Sequence, residues 1–278
     1  MSAGARVLLL PLVAASAVTM FSVRESLAQE DFRSLDAGRP LKVTDAYPKK
    51  YREWEFQFGL EGGWMEGGQS SLAGLLELET GLFRNFEIGA GLHMAAEGEG
   101  GSTLKGLESL GVEALYNFRH EGWTWPAVAI QAGAEAPTGS DLSREDWAWG
   151  ADLLVTRSFA NRVRMHVNGG YLVASEADGG DYWRGGVAFD IPMGFSSRLI
   201  MGDLYAEVPV DAGPTRTWAE LGTRIQISNL TVIDVGLASQ LDEWNRGGAN
   251  IRLVLGFSRV FGIGGLVRVP EYPDPTIR

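Results

Sequence analysis

The chain has no cysteine, which excludes a disulfide scaffold, a thiolate zinc centre and a cysteine nucleophile. Histidine is almost as scarce. His93, His120 and His166 are the three present, and they share no metal-ligand spacing. Bases are outnumbered, with 24 Lys and Arg against 35 Asp and Glu and a formal charge of −11. A phosphate-binding surface is normally basic, so nucleic acid is not an expected partner. Beyond the N-terminal region no run approaches ~18 apolar residues, so no other segment spans a bilayer as a helix. Charged residues make up 21% and mean hydropathy is −0.03, which excludes an acidic disordered chain. What the chain has in excess is glycine, 37 of 278 residues without a collagen period. Glycine weakens helix interiors, so the excess points to bending strands and many turns.

The first residues read as a targeting segment. Arg6 is the only charge before an apolar stretch over 7–21 that contains Pro11. That stretch is shorter than the ~20 residues of a membrane span. Ser26-Leu27-Ala28 follows, with small residues where a signal peptidase reads. Residues 1–28 are therefore expected to be a cleaved signal peptide, and the absence of a following cysteine excludes lipoprotein processing.

Downstream the dominant signal is alternation of period two. Over 53–61 every even position is apolar (Trp54, Phe56, Phe58, Leu60) and every odd one is polar or glycine. The pattern recurs over 86–94, 163–171 and 251–258. Such strands put one face against an apolar medium and the other against something wet. Twelve such segments are expected, at 53–64, 71–83, 86–95, 107–118, 126–137, 147–159, 163–173, 182–192, 198–208, 217–227, 231–241 and 250–261. Soluble strands average nearer ~5–6 residues, whereas tilted transmembrane strands need about 9–11. Connections after odd strands are long and polar (66–70, 96–106, 138–146, 174–181, 209–216, 242–249), and those after even strands are mostly tight (84–85, 160–162, 228–229). Short periplasmic turns and longer, here acidic, outer loops give that order. The nine tryptophans, Trp54, Trp64, Trp123, Trp125, Trp147, Trp149, Trp183, Trp218 and Trp244, all lie near strand ends or in loops. Two aromatic girdles account for that placement. The fold class expected is all-β, a transmembrane antiparallel up-and-down β-barrel of about 12 strands. The chain divides into a signal peptide (1–28), a periplasmic N-terminal segment (29–52), the barrel (53–261) and a C-terminal tail (262–278).

Several stretches resemble one family. Gly38-Arg39-Pro40-Leu41-Lys42-Val43-Thr44-Asp45-Ala46-Tyr47-Pro48, then 53–59, resembles the entry segment of the transporter barrels named for the MetA pathway of phenol degradation. The strand over 126–137 that runs into Pro137-Thr138-Gly139 is similar to a strand of that family. So is the hairpin carrying Glu220-Leu221-Gly222-Thr223-Arg224 and Asp234-Val235-Gly236-Leu237. The resemblance implies an outer-membrane barrel with a transport role and no defined catalytic residues. The chain departs from the family at its end, where 262–278 continues past Phe261. Physically, Pro137 cannot donate to a ladder and Gly139 admits the turn that follows, so this motif reads as a strand stop.

By parity the inward face carries Glu55, Glu61, Glu77, Glu79, Glu87, Glu113 and Glu135 on the first five strands. Later strands add Asp152, Arg164, His166, Arg184, Asp203, Glu207, Glu220, Arg224, Asp234 and Arg252. These are the candidate lumen-lining residues. Two arrangements fit them: a salt-bridged, packed lumen, or a narrow pore with an acidic wall facing a basic one. On the 198–208 strand, Leu199 and Met201 share a face with Asp203, which leaves its parity ambiguous. An arginine at outward Phe56 or Leu92 is expected to be costly, and one at inward Gln57 cheap.

Enzymatic readings fare poorly. His166 with Arg164 and Asn168 forms a polar row, but no Gly-x-Ser-x-Gly element is present. The acids Glu97 and Glu99, or Glu176, Asp178 and Asp181, lack calcium-loop spacing and read as a solvated rim. No catalytic residue, metal ligand or cofactor is expected. The function expected is a channel or uptake protein for small, aromatic or apolar solutes in a Gram-negative outer membrane. Its partners would be outer-membrane lipid, the solute and, in transit, the barrel-assembly machinery. A non-conducting barrel whose outer loops bind a surface partner is the alternative. A soluble exported lipid binder is a third reading, opposed by the apolar even-numbered faces.

Overall fold

Alternation over long segments commits the chain to strands that cannot leave their edges open in an apolar medium. The computed structural model describes residues 33–35, 38–65, 70–99, 102–159, 163–177, 179–194, 197–211, 213–242 and 249–262. Its elements are β1 (Trp54–Met65), β2 (Ser70–Phe83), β3 (Phe86–Glu99), β4 (Ser102–Arg119), β5 (Ala127–Pro137) and β6 (Ala148–Phe159). They continue as β7 (Val163–Val173), β8 (Tyr182–Pro192), β9 (Arg198–Pro209), β10 (Arg216–Ser228), β11 (Thr231–Gln240) and β12 (Ala249–Phe261). Each strand pairs antiparallel with the next, and β1 pairs with β12 to close a twelve-stranded barrel. The expected signal peptide, the tail beyond Gly262 and Trp244 lie outside the described residues.

Closure lets the two faces of every strand be read directly. In β1, Glu55, Gln57 and Gly59 are buried inside, while Phe56 is exposed outside. The outward set continues round the barrel through Leu78, Val112, Ile130, Leu153, Val187, Leu204, Leu221, Val235 and Leu255. Tight connections close one end. At the β2–β3 turn Asn85 takes φ of 64°, a left-handed conformation that asparagine tolerates better than most residues. Among the described residues no helix is long and apolar enough to cross a membrane.

Three expectations need correction. The loop expected over 96–106 is mostly ladder, because β3 runs to Glu99 and β4 begins at Ser102. Ala96 pairs with Lys105 and Gly98 with Thr103, since a hairpin protruding into water can carry polar residues on both faces. Trp218 does not join a girdle. It points inward, only 8% exposed, with the Arg252 guanidinium 3.8 Å from its ring centroid. Third, residues 38–50, within the segment expected in the periplasm, run inside the barrel. Leu41, Val43 and Ala46 are buried there, and Leu41 and Val43 pack with Leu35, Leu199, Met201 and Tyr205. This packing explains why β9 turns Leu199 and Met201 to the same side as Asp203.

Candidate functional site

The N-terminal segment makes a circuit of the inner wall at the short-turn end. Arg39 starts it at the β1–β12 seam, donating to the carbonyls of Phe58 (3.3 Å) and Phe257 (3.2 Å) and to Gln57. Pro40 lies against β10 and β11. The Lys42 and Val43 amides donate to Asp203 of β9 at 3.0 and 3.1 Å, and Lys42 N–H also reaches Glu220 at 2.7 Å. The Thr44 amide donates to Asn168 of β7, and the Ala46 amide to Thr156 of β6. Lys49 returns the chain to its start, with its ammonium 2.7 Å from Glu55 and 3.3 Å from Glu79 and its amide donating to Glu87. Barrel side chains thus satisfy the segment's backbone, as a buried, irregular backbone requires.

Inward glycines make the room. A Cβ at Gly59 would lie 2.7 Å from the Arg39 side chain, and one at Gly186 would lie 2.7 Å from Val43. Cβ atoms at Gly222 and Gly236 would stand 2.6 and 2.8 Å from the Pro40 ring. These inward glycines therefore form the seat of the segment.

Every candidate lumen residue faces inward, but the ion pairs follow a different plan from two opposed walls. The bases of the second half meet acids close to them. Arg164 pairs with Asp190 (2.7 Å) and Asp45 (3.5 Å), and Arg224 takes Asp234 at both oxygens, 2.6 and 3.0 Å. Arg184 reaches across Gly170 to Asp152, a route open because Gly170 has no side chain. Arg252 bridges Glu220 (2.8 Å) and Glu61 (3.1 Å). The N-terminal segment supplies the cations that answer Glu55 and Glu79. Gln57 is itself buried among Arg39, Glu55 and Glu79, so an arginine there would meet a like charge and would not be cheap.

His166 lies fully buried between Thr156 (3.0 Å to Nδ1) and Asp190 (2.8 Å to Nε2). The Asp190 carboxylate accepts the imidazole Nε2–H, while Thr156 Oγ1, which also accepts the Ala46 amide, lies against Nδ1. The row resembles a hydroxyl–imidazole–carboxylate relay, yet all three groups are sealed beneath residues 44–46 and serve to fasten the segment. At the turn outside, burial works against ionisation of Glu121, but the Ser158 amide and hydroxyl and the Tyr47 hydroxyl hold its carboxyl below the usual range.

Beyond the segment the interior opens into a cavity of about 400 Å³. Its charged lining is Glu61, Glu77, Glu108, Glu113, Glu135, Asp152 and Glu207 against Arg39, Lys42 and Arg184. Tyr182, Tyr205, Leu75, Leu154, Leu172 and Val254 add apolar surface. Glu77, Glu79 and Glu113 bring one oxygen each within 4.8 Å of one another. A smaller crevice, about 20 Å³, shares Thr44, Glu113 and Gln131 with the cavity and continues past Tyr47 and Lys49. On the outer loops, Asp181 accepts from Tyr171 and from the Ala174 amide, which makes it a loop brace; Asp178 lies outside the described residues. β5 does stop at Pro137, and Gly139 takes φ of 74°.

No protein-family model matches the chain, and no curated protein matches it. Among solved structures it is similar to the COG4313 outer membrane channel from Pseudomonas putida F1, at 13% identity and a TM-score of 0.63, over 82% of this chain and 100% of that one. It is also similar to the KdgM porin in complex with disordered oligogalacturonate, at 8% identity and a TM-score of 0.53, over 75% and 99% of the two chains. At these identities the likeness is one of fold.

Proposed function

We propose that this chain is a Gram-negative outer-membrane barrel that takes up small neutral or cationic solutes, single-ring aromatic compounds among them, and carries out no chemical reaction. The observation that carries the reading is the acid-rich cavity enclosed by a barrel whose outer surface is apolar over whole strands. Such an exterior suits a bilayer, where only a helix or a closed barrel satisfies its backbone. The cavity exceeds the ~150 Å³ known to hold benzene. Carboxylates outnumber bases in its lining, and a narrow, low-dielectric lumen amplifies that imbalance into a preference for cations. The MetA-pathway resemblance belongs to this proposal, since its entry motif is the segment that circles the lumen. The fastening of that segment favours the alternative of a non-conducting barrel, so conductance is the deciding measurement.

In planar bilayers across a salt gradient, reversal potentials should show cation preference. The double variant Glu77→Gln, Glu113→Gln should move that preference toward none, while the barrel still folds. Gln131 can still donate to an amide oxygen at position 113 as it does to Glu113, at 2.8 Å, and Arg164 and Arg224 have their partners elsewhere. Glu79 is left intact because Lys49 depends on it. No conductance at all, in wild type or with the segment displaced, would leave the non-conducting barrel. A second expectation concerns the exterior. Leu92→Arg, outward on β3, should cost on the order of 2–4 kcal/mol near the bilayer midplane. Unfolding titrations in vesicles that show no loss would mean this face does not meet lipid.

A further inference from the structure

The two ends of the barrel carry opposite exposed charge. Beside the tight turns stand Lys50, Arg52, Arg84, Arg119, Arg198 and Arg259, all exposed. Among the described residues none of the six forms an ion pair, in contrast to Lys49, Arg164, Arg184, Arg224 and Arg252 in the lumen. At the opposite end the exposed groups are mainly acids, among them Glu97, Asp141, Asp146, Glu176, Asp211 and Asp242. Among the described residues no carboxylate answers these cations, so their placement around one rim calls for a partner outside the barrel.

Their setting names a partner. The basic groups cluster where the apolar strands end, and three of them stand next to exposed aromatic rings. Arg84 follows Phe83, the Arg119 guanidinium is 4.4 Å from the centroid of Trp125, and that of Arg52 is 4.9 Å from Tyr51. Exposed aromatics at the edge of an apolar band mark the level of the membrane interface. Cations just beyond them stand at the depth of lipid phosphates, where guanidinium forks suit phosphodiester oxygens.

We propose that the short-turn rim of the barrel is a binding surface for anionic glycerophospholipid headgroups, a girdle that holds phosphatidylglycerol-type lipids in the periplasmic leaflet. This rests on the reading of the chain as an outer-membrane barrel. The acidic far rim repels the same headgroups, so the two rims differ in affinity for them. Arg157 is excluded from the girdle because its guanidinium is spent on the carbonyls of Gly122, Trp123 and Trp125.

The test uses the folded barrel in detergent, offered equal amounts of dioleoyl phosphatidylglycerol and dioleoyl phosphatidylcholine and examined by native mass spectrometry. Wild type should retain several-fold more of the anionic lipid. The variant Arg84→Gln, Arg119→Gln, Arg198→Gln, Arg259→Gln should lose that preference, and Lys105→Gln, Arg216→Gln at the other end should keep it. High salt should abolish it, because exposed charges are screened over about 3 Å at 1 M. Equal retention of the two lipids by wild type, or unchanged retention by the fourfold variant, overturns the inference. Heat-modifiable gel mobility after refolding into phosphatidylcholine vesicles separates the two readings. If no protein inserts, the membrane reading itself fails; insertion without headgroup preference overturns the girdle alone.

Discussion

Replacing Gly222 or Gly236 with valine should open the barrel. Cβ atoms at these positions would stand 2.6 and 2.8 Å from the Pro40 ring, closer than any relaxed packing allows. Proline cannot swing away as a long side chain could, so the conflict moves the chain around Pro40. Overpacking of this kind costs about 1–3 kcal/mol per site, which is comparable to the hydrogen bonds that hold Lys42 and Val43 to Asp203. The barrel wall is held by its own ladder and should survive, with heat-modifiable mobility unchanged. Single-channel conductance should rise several-fold over wild type, and Lys42 and Lys49 should become cleavable by trypsin. Gly169→Ala is the matched control, since nothing lies within 4 Å of its added Cβ. Unaltered conductance in both folded valine variants would show that residues 38–50 do not limit passage.

Residues 38–50 are the part of the interior that local sequence pattern does not reveal. The strands were legible because period two is a local property: Trp54 to Leu60 alternate whatever the rest of the chain does. Parity groups the acids and bases of each strand on one face for the same reason. Docking of residues 38–50 depends on contacts more than a hundred residues away in sequence, such as Val43 with Asp203, and leaves no periodic trace. A signal for it was nevertheless present. Gly59, Gly186, Gly222 and Gly236 all fall at inward parity, and a narrow barrel normally fills its interior with side chains. Glycines there imply that something else occupies the space, and the cations Arg39, Lys42 and Lys49 in the preceding segment match the unanswered acids of the first strands. Pairing was less legible than facing. Arg184 stands opposite Glu207 in the β8–β9 register, yet it bonds Asp152 two strands away across Gly170. Alternation alone could not choose between those partners, because it fixes the face and leaves register free.

The Arg224–Asp234 pair gives the largest expected loss of stability. The two residues are directly opposed on β10 and β11, both 0% exposed, and joined through both carboxylate oxygens. Gly256 on the neighbouring strand makes space for the carboxylate, since a Cβ there would lie 2.8 Å from Asp234 Oδ2. Arg224→Met removes the cation and leaves the Asp234 carboxylate unanswered in a fully buried site. Breaking a buried pair from one side costs about 3–5 kcal/mol, most of it the penalty of the abandoned charge. The double variant Arg224→Met, Asp234→Val removes both charges and should recover most of that loss, because well-packed apolar replacements are often neutral or better. Urea unfolding of refolded protein, read as a double-mutant cycle, measures the coupling directly. If the pair instead serves only to position neighbouring groups, the single and double variants will unfold at similar urea concentrations. The expected ordering is wild type, then the double variant close behind, with Arg224→Met well below both.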